Sequence, residues 1–552
     1  MTKKILIVGG VAGGASAAAR LRRIDETAQI IMFERDQFIS FANCGLPYHI
    51  GGEIEDRNAL LVQTPESMHA RFNIDIRIQS EVVDIDAQAK QVSVHRLDTG
   101  ERYQESYDEL ILSPGAKPIM PPIPGIDLAS VFSLRNIPDM DRIIHKLDID
   151  APRSAVVIGG GFIGIEMAEA LVHRKVETTL IELSNQVMPP IDAEMAVPLH
   201  QEMRRNGTQL ILGDALEAIT ESSDNELTLT LRSGRELKTD MLIMAIGVTP
   251  ENQLAKTAGL ALGQRGGIQV DKQMRTSVEH IWAVGDAIEV AHFVTGSHAQ
   301  IPLAGPANRQ GRIVADNIFG MASEYKDTLG TGICKVFNLA AASTGANEKQ
   351  LLAEQKPFQK VYLHAADHAG YYPDARQIHL KLLFQPTDGR ILGAQAVGEK
   401  GVDKRIDVLA TAIRAGLTVF DLEEFELCYA PPFGSAKDII NQAGFVASNA
   451  LRGSHDICQA DALPQGDDVQ VLDVRSASEI SAHGSIEGAI NIPLDQLRQN
   501  LQRLPKDKTW VTLCAVGLRG YVAQRMLVQH GYSVLNMTGG YTSYLMAQQV
   551  GR

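Results

Sequence analysis

The feature that most constrains this chain is a unit that occurs twice. Each copy has an apolar strand, a glycine-rich turn, a helix of small residues and a second strand that ends in an acid. In the first copy the turn covers residues 9–14 and the acid is Glu34; in the second the turn covers residues 159–164 and the acid is Glu182. Such a turn places a helix N-terminus against a pyrophosphate, and the acid accepts a hydrogen bond from a ribose hydroxyl. Two complete copies predict two dinucleotide-binding folds of the Rossmann-like α/β type.

The two copies differ in how closely they follow the usual G-x-G-x-x-G pattern. Val11 occupies the middle glycine position of the first copy, whereas the second copy carries all three glycines. The residues predicted to contact the first dinucleotide are Gly9, Gly10, Val11, Ala12, Gly13, Gly14, Glu34 and Arg35. Those predicted to contact the second are Gly159, Gly161, Phe162, Ile163, Gly164 and Glu182.

Later strands end in turns that suit the same two sites. Residues 281–284 lead into Gly285 and Asp286, whose carboxylate can reach a ribose or ribityl hydroxyl. The strand over residues 110–112 and the strand over residues 241–246 also run into glycine-containing turns. The further residues predicted to bind a cofactor are Ser113, Pro114, Gly115, Gly247, Gly285 and Asp286 in these turns, together with Pro302 and Ala304.

Length and charge exclude several classes of function. A chain of 552 residues is too long for one hydrophobic core, so several domains are expected. No apolar run reaches the roughly 18 residues of a membrane-spanning helix, and the short apolar run after Lys4 predicts no signal peptide. The net charge of −14 argues against nucleic acid or anionic membrane as a partner. We therefore expect a cytoplasmic protein that acts on small molecules.

The five cysteines indicate separate reactive thiols rather than a disulfide framework. Cys44, Cys334, Cys428, Cys458 and Cys514 are widely spaced and form no C-x-x-C pair, so neither disulfides nor a metal site are predicted. Two of them stand in distinctive segments. Cys44 lies in Ser-Phe-Ala-Asn-Cys-Gly-Leu-Pro-Tyr shortly after the first acid, and Cys514 follows the apolar strand over residues 511–513.

The two nucleotide folds, the Gly285-Asp286 strand end and the Cys44 segment together resemble the pyridine nucleotide–disulfide oxidoreductases. The resemblance implies FAD in the first fold, a nicotinamide nucleotide in the second, and a discontinuous FAD domain. Many members carry a C-x-x-x-x-C pair, but Cys44 has no second cysteine nearby. The chain is therefore similar to the single-cysteine branch of coenzyme A-disulfide reductases, NADH oxidases and NADH peroxidases. The oxidases and peroxidases usually carry a histidine where this chain has Ala12.

The resemblance also implies a coenzyme A site and a homodimer. In the coenzyme A-disulfide reductases two tyrosines from the neighbouring subunit face the reactive sulfur, and here they correspond to Tyr371 and Tyr429. A phenol in that place can donate a proton to a leaving thiolate. The residues implied to contact coenzyme A are Ser16, Arg20, Arg23, Ser40, Asn43, Arg71, Asn308 and Lys437.

The C-terminal segment resembles a single-domain rhodanese. From Leu463 onward it carries eight lysines and arginines against seven aspartates and glutamates, unlike the acidic body of the chain. A thiol in a loop that enters a helix is surrounded by backbone N–H groups, which stabilise an anionic persulfide. By resemblance Cys514 carries sulfane sulfur and Arg519 stabilises the loop or its anion. The loop has no second cationic side chain, so thiosulfate is in doubt as its donor.

The predicted fold is α/β, with two Rossmann-like domains for FAD and NAD, an α+β dimerisation domain and a C-terminal α/β rhodanese domain. The predicted boundaries are 1–113 and 245–325 for FAD, 114–244 for NAD(P)H, 326–446 for dimerisation, 447–465 for a linker and 466–552 for rhodanese.

The fusion resembles the coenzyme A-disulfide reductase–rhodanese group of NADH-dependent persulfide or polysulfide reductases. The expected reaction is reduction of a persulfide or polysulfide, with coenzyme A persulfide favoured, and release of sulfide through Cys44 and Cys514. Glu182 favours NADH over NADPH because a carboxylate repels the extra phosphate. Three alternatives stay open: coenzyme A-disulfide reduction, an NADH oxidase or peroxidase, and a sulfur carrier or redox sensor without turnover.

Overall fold

The computed structural model describes residues 2–224 and 226–551 and divides into two compact units. The first unit contains the residues up to Leu183 together with Gly207–Gly330, and the second contains Ser184–Asn206 together with the residues from Thr331 onward. Over the two described ranges, no helix has both the length and the apolar character needed to cross a membrane.

Two parallel five-stranded sheets organise the first unit, and each has one glycine-turn strand at its centre. Ile5, Leu6 and Ile7 are fully buried, as expected of a parallel strand that is covered on both faces. The strand order in the first sheet is Ile281–Ala283, Glu109–Leu112, Lys4–Val8, Gln29–Phe33 and Asp75–Arg77. The order in the second is Gln209–Leu212, Glu177–Glu182, Ser154–Ile158, Met241–Met244 and Val131–Ser133.

Small residues let two helices of this unit pack closely. A Cβ at Gly311 would lie 2.3 Å from the carbonyl oxygen of Gly13, so only glycine allows helix Ala304–Ile318 to approach helix Ala12–Ile24 this closely. The other helices of the unit are Leu46–Ile50, Pro65–Phe72, Ile137–His145, Phe162–His173 and Gln253–Thr257. Short turns of 3₁₀ or π helix cover Asn43–Gly45, Arg57–Leu60, Lys146–Asp150 and Gly285–Ala287.

Smaller sheets complete the first unit. Two are three-stranded and antiparallel, formed by Ser80–Asp86, Gln91–Arg96 and Arg102–Ser106, and by Leu216–Glu221, Leu227–Leu231 and Glu236–Thr239. The remaining strands are Ala116–Pro118 with Val248–Pro250, and Ile268–Gln269 with Ile288–Ala291 and His298–Ala299.

The second unit contains a five-stranded antiparallel sheet. Lys381 is fully buried on it, and its ammonium contacts Asp192 at 2.8 Å, Glu194 at 2.5 Å and also Glu348. These contacts fasten helix Ala193–Arg205 to the sheet. The strand order is Gly332–Val336, Leu339–Gly345, Ile391–Gly398, Gln377–Phe384 and Gln359–Ala366. The further helices are Glu348–Ala353, Val402–Arg414, Val419–Glu423 and Ile439–Leu451.

A second sheet of this unit is parallel and contains the strand that leads to Cys514. Within the segment predicted as a linker, Ile457–Cys458 forms a short strand that pairs with strand Ser533–Met537 of this sheet. The strand order is Ile457–Cys458, Ser533–Met537, Thr509–Leu513, Val469–Asp473 and Ile490–Asn491. The helices are Ala477–His483, Leu494–Asn500, Leu518–Gln529 and Gly540–Gln548, with 3₁₀ turns at Ala460–Ala462 and Leu501–Arg503. The predicted α/β class, including both Rossmann-like sheets, is confirmed.

Candidate active site

The first glycine turn has the geometry of an anion-binding helix start. Gly9 has a φ of +98°, and a Cβ there would lie 2.0 Å from the carbonyl oxygen of Ser113. A Cβ at Gly14 would lie 1.9 Å from the carbonyl oxygen of Gly9, so the turn needs both glycines. Val11 precedes the helix and provides no side-chain cap. The first N–H groups of the helix are therefore available to a phosphate.

Glu34 is fixed beside this turn. Its Oε2 accepts a hydrogen bond from the Gly10 N–H at 2.9 Å, and its Oε1 accepts one from the Asp36 N–H at 3.1 Å. The neighbouring Arg35 forms an ion pair with Glu251 at 2.7 Å. The carboxylate of Glu34 thus stands at the end of strand Gln29–Phe33, where a ribose hydroxyl is bound in dinucleotide folds.

The second turn repeats this arrangement with an open centre. Gly159 has a φ of +108°, and a Cβ at Gly164 would lie 1.9 Å from its carbonyl oxygen. A Cβ at Gly161 would meet no atom within 4 Å, which leaves room for a phosphate beside the uncapped start of the helix. The Oε2 of Glu182 accepts a hydrogen bond from the Gly160 N–H at 2.6 Å. Both turns fit a dinucleotide pyrophosphate.

The other predicted cofactor residues cluster at strand ends of the first unit. Ser113 follows strand Glu109–Leu112, and a Cβ at Gly13 would lie 2.9 Å from its hydroxyl. The pKa of Asp286 is raised, because the effect of burial outweighs the opposing effect of the nearby Arg135. Ala304 begins a helix whose first turn also lacks a side-chain cap. The remaining predicted positions, which lie in the adjoining turns, are Pro114, Gly115, Gly247, Gly285 and Pro302.

Cys44 lies in the 3₁₀ turn Asn43–Gly45 at the start of a short helix. Its thiol is exposed, and partial burial together with the carboxylates of Glu166 and Asp286 raises its pKa. Glu166 is itself unusual, because burial raises its pKa to about 7 while the hydroxyl of Tyr48 donates a hydrogen bond to it at 3.2 Å. The thiol therefore stands among acids that belong to both nucleotide folds.

A cavity of about 420 Å³ opens beside the first glycine turn. It brings together six of the eight residues implied to bind coenzyme A, namely Ser16, Arg20, Arg23, Ser40, Arg71 and Asn308. The sequence analysis missed Arg312, although it lies one helical turn beyond Asn308. The four arginines make the cavity strongly cationic and suited to phosphates.

Two of the residues implied to bind coenzyme A are not part of the cavity lining. Asn43 adjoins Cys44 but does not line the cavity, and Lys437 belongs to the second unit. Inside the cavity, Arg20 donates a hydrogen bond to Asp316 at 2.7 Å, and the hydroxyl of Ser16 bonds the side chain of Asn308. Arg20 is thereby held in place, and part of its charge is compensated.

Tyr371 and Tyr429 lie together in the second unit. Their hydroxyl groups are 3.0 Å apart, and both side chains are exposed, Tyr371 by 77%. The hydrogen bond shared with Tyr429 raises the pKa of Tyr371. Two large exposed aromatic side chains that share a hydrogen bond suit a surface that another molecule covers.

Cys514 lies at the carboxyl end of strand Thr509–Leu513 and is 1% exposed. The Gly517 N–H donates a hydrogen bond to its sulfur at 3.2 Å, just before helix Leu518–Gln529 begins. Arg519 interacts with the thiol and forms a two-point ion pair with Glu479, a residue that the sequence analysis did not single out. The loop is thus built to hold a sulfur anion.

Three further cysteines have settings unlike those two. Cys334 and Cys458 are buried, and burial raises the pKa of Cys458 to about 12. Cys428 is exposed beside Tyr429.

Three family models match the chain. Residues 3–311 match the pyridine nucleotide-disulphide oxidoreductase model, and residues 331–438 match the dimerisation domain of the same family. Residues 458–547 match the rhodanese-like domain.

Individual relatives extend over most of the chain. A coenzyme A disulfide reductase from Staphylococcus aureus (strain JH9) is 38% identical over 445 residues, which are 80% of this chain and 99% of that protein. The crystal structure of reduced Bacillus anthracis CoADR-RHD matches with a TM-score of 0.97 at 53% identity, covering 99% of this chain and 98% of that chain. An NAD-dependent persulfide reductase from A. fulgidus matches with a TM-score of 0.92 at 36% identity, covering 98% and 100%. The chain therefore belongs to the pyridine nucleotide-disulphide oxidoreductase family, whose members use FAD and NAD(P)H, and is an oxidoreductase that acts on sulfur groups.

Proposed function

We propose that this protein uses NADH to reduce persulfides or polysulfides, with coenzyme A persulfide as the favoured substrate and sulfide as a product. The observation that carries this proposal is the arginine-lined cavity in the unit that also holds Cys44. A cationic cavity of this size suits the phosphates of coenzyme A, and the exposed thiol suits attack on a sulfur–sulfur bond. The relative from A. fulgidus, named an NAD-dependent persulfide reductase, supports the same reaction.

The two glycine turns hold the cofactors in this proposal. The uncapped helix at Ala12 and the carboxylate of Glu34 would bind FAD, which supplies two-electron transfer between the nicotinamide nucleotide and sulfur. The helix at Phe162 and Glu182 would bind the nicotinamide nucleotide. Glu182 supports NADH over NADPH because its carboxylate accepts a bond from the 2′-hydroxyl and repels a 2′-phosphate.

Cys44 performs the covalent step. Its thiolate attacks the inner sulfur of coenzyme A persulfide, the sulfur–sulfur bond of the persulfide breaks, and hydrosulfide leaves with the bonding electrons. The product is a mixed disulfide between Cys44 and coenzyme A. Two electrons and one proton then regenerate the Cys44 thiolate and release coenzyme A as a thiol.

We propose a homodimer in which Tyr371 and Tyr429 of each subunit assist the site of the other. Their exposed, hydrogen-bonded phenols can donate a proton to a departing sulfur. The match to a dimerisation domain supports this assembly.

Cys514 loads sulfane sulfur from polysulfides or other persulfides and passes it to coenzyme A for reduction at Cys44. The hydrogen bond from the Gly517 N–H would stabilise the anionic persulfide that this role requires. In this scheme Cys514 supplies substrate, whereas Cys44 carries out its reduction.

A second candidate function is reduction of coenzyme A disulfide, which the curated relatives from S. aureus favour by name. It would use the same cavity and the same thiol. Relative kcat/KM for coenzyme A persulfide and coenzyme A disulfide separates the two. An NADH oxidase or peroxidase is disfavoured by Ala12, because those relatives usually carry histidine there. A sulfur carrier without turnover would show slow flavin reduction by NADH.

Three cysteine-to-serine variants of the full chain test the division of labour. Cys44→Ser should abolish NADH-dependent sulfide release from coenzyme A persulfide. Cys514→Ser should keep that reaction. With inorganic polysulfide as the sulfur source, however, added coenzyme A should no longer stimulate sulfide release by this variant. Cys334→Ser removes a buried thiol on strand Gly332–Val336, outside both sites, and is the control for the substitution itself. Near-wild-type turnover of coenzyme A persulfide by Cys44→Ser would contradict the proposal.

A further inference from the structure

The arginine beside the rhodanese-like loop already has an anionic partner. Arg519 Nη1 donates a hydrogen bond to Oε2 of Glu479 at 2.8 Å, and Nη2 donates one to Oε1 at 2.5 Å. This fork-to-fork geometry is the strongest form of an arginine–carboxylate pair. Because the same guanidinium also interacts with Cys514, a positive charge close to the reactive sulfur is already paired with a carboxylate.

Glu479 is held in this position from its own helix as well. It is the third residue of helix Ala477–His483, and its Oε2 accepts a hydrogen bond from the Ser476 N–H at 2.9 Å. The Ser476 hydroxyl in turn accepts a bond from the Glu479 N–H at 3.2 Å, which completes a capping box. Arg519 and these bonds lower the pKa of Glu479 to about 2. The carboxylate is therefore ionised at every pH at which the enzyme works.

The second arginine near the loop is compensated too. Arg475 is 1% exposed and donates a hydrogen bond to Asp473 at 2.6 Å, while the ring of Tyr541 covers its guanidinium. Lys506 and Lys508 precede strand Thr509–Leu513, whereas Cys514 follows it, so both lysines lie at the opposite end of the strand. The loop that carries Cys514 thus has little net positive charge with which to bind an anionic sulfur donor.

We propose that Glu479 sets the donor specificity of Cys514: by neutralising Arg519 it makes dianionic thiosulfate a poor sulfur donor relative to alkyl persulfides. This inference rests on the proposed role of Cys514 as a sulfur carrier. Transfer from thiosulfate would break its sulfur–sulfur bond, leave a persulfide on Cys514 and expel sulfite with the bonding electron pair. Binding thiosulfate and releasing sulfite both place two negative charges beside a sulfur anion, which needs a cation that is not already paired.

Thiocyanate formation by the full-length protein tests this assignment. Cyanide is the acceptor, removing the outer sulfur of the Cys514 persulfide, and thiosulfate or glutathione persulfide is the donor. Glu479→Gln keeps the capping box, since glutamine also serves at that position, but removes the charge. The ratio of kcat/KM for thiosulfate to kcat/KM for glutathione persulfide should rise about tenfold or more, because an arginine freed for charged hydrogen bonds provides that much discrimination. The change should lie in KM for thiosulfate.

Three comparisons distinguish this electrostatic role from a structural one. Glu479→Asp keeps the charge and should keep the wild-type preference. Asp507→Asn removes the same charge at the far end of strand Thr509–Leu513 and should leave the ratio unchanged. The gain in Glu479→Gln should shrink as ionic strength rises, since salt screens an exposed cation. An unchanged ratio in Glu479→Gln, or an equal gain in Asp507→Asn, would overturn the proposal.

The wild-type protein provides a measurement that does not depend on a folded variant. With Arg519 paired, the KM for thiosulfate should vary little with salt, whereas a KM that rises steeply with ionic strength would reveal an unpaired cation and overturn the inference. NADH-dependent reduction of coenzyme A persulfide is measured on the same samples. Its absence with thiocyanate formation intact would contradict the proposed reductase function and not the assignment of Glu479.

Discussion

Replacing Arg71 by alanine isolates the contribution of the arginine-lined cavity to substrate binding. Arg20 is bonded to Asp316, so its loss would also leave a mostly buried acid without its partner. Arg71 is exposed on the last turn of helix Pro65–Phe72, and its guanidinium makes no hydrogen bond or ion pair within the described part of the chain. Removing this side chain should therefore leave the fold intact and weaken only the binding of the ligand.

The size of the effect follows from the chemistry of the contact. A hydrogen bond between charged groups contributes about 1.5–3 kcal/mol, which corresponds to about a 10- to 150-fold loss in kcat/KM for a phosphate-bearing substrate. Arg71→Ala should lose this much with coenzyme A persulfide. With glutathione persulfide, which has no phosphates, the kcat/KM should change little. The expected result is thus a loss of preference and not a loss of catalysis.

The assay is NADH oxidation under anaerobic conditions with sulfide measured in parallel. Arg96→Ala is the control, because this partly exposed arginine lies on strand Gln91–Arg96, pairs with Asp98 at 2.8 Å and is not part of the cavity lining. It should leave both substrates unaffected. An equal loss with the two persulfides in Arg71→Ala would refute the reasoning, as would a comparable loss of coenzyme A persulfide turnover in Arg96→Ala.

Three further perturbations test other parts of the account. Glu182→Ser should lower kcat/KM for NADH about tenfold or more without lowering kcat/KM for NADPH. The substitution removes the carboxylate that accepts a hydrogen bond from the ribose of NADH and that repels the 2′-phosphate of NADPH. Steady-state kinetics with each nucleotide measure both values. Lys381→Met should lower the free energy of unfolding by about 3–5 kcal/mol at pH 7, measured calorimetrically, because it leaves buried carboxylates without their cation. Glu166→Gln should shift the alkylation profile of Cys44 to lower pH, because a carboxylate that raises the thiol pKa is removed; mass spectrometry of the Cys44 peptide reports it. In wild type this repulsion develops as the pH rises through the Glu166 pKa of about 7, and Glu55→Gln, an exposed acid, is the control for which no shift is expected.

The strands were the most predictable elements. The sequence analysis predicted an apolar strand directly before the first glycine turn, and the structure has Lys4–Val8 there, because a strand buried on both faces is an unbroken apolar run. The helix that follows the turn extends from Ala12 to Ile24. Its last turns contain charged residues. Arg22 is nevertheless 5% exposed, since its guanidinium donates to backbone carbonyls of the segments around it.

Residues that act through distant partners escaped prediction. Glu479 and Arg519 are 40 residues apart, and no local pattern connects them. Arg312 lines the same cavity as Arg20 but lies on a helix almost 300 residues later in the chain. The one sequence signal for it is its position one helical turn after Asn308. Asn43, which the family resemblance implies at the coenzyme A site, adjoins Cys44 and is not part of the cavity lining. A family resemblance assigns roles to residues by their position in the sequence, whereas charge pairs form between residues that the fold brings together.

The most direct test of the central claim is anaerobic stopped-flow absorbance of the NADH-reduced holoenzyme mixed with coenzyme A persulfide, with released sulfide assayed in parallel. The account predicts rapid reoxidation with one sulfide released for each enzyme site, and no such reaction in Cys44→Ser. Reoxidation by coenzyme A disulfide alone, without sulfide, would contradict it and identify the protein as a disulfide reductase.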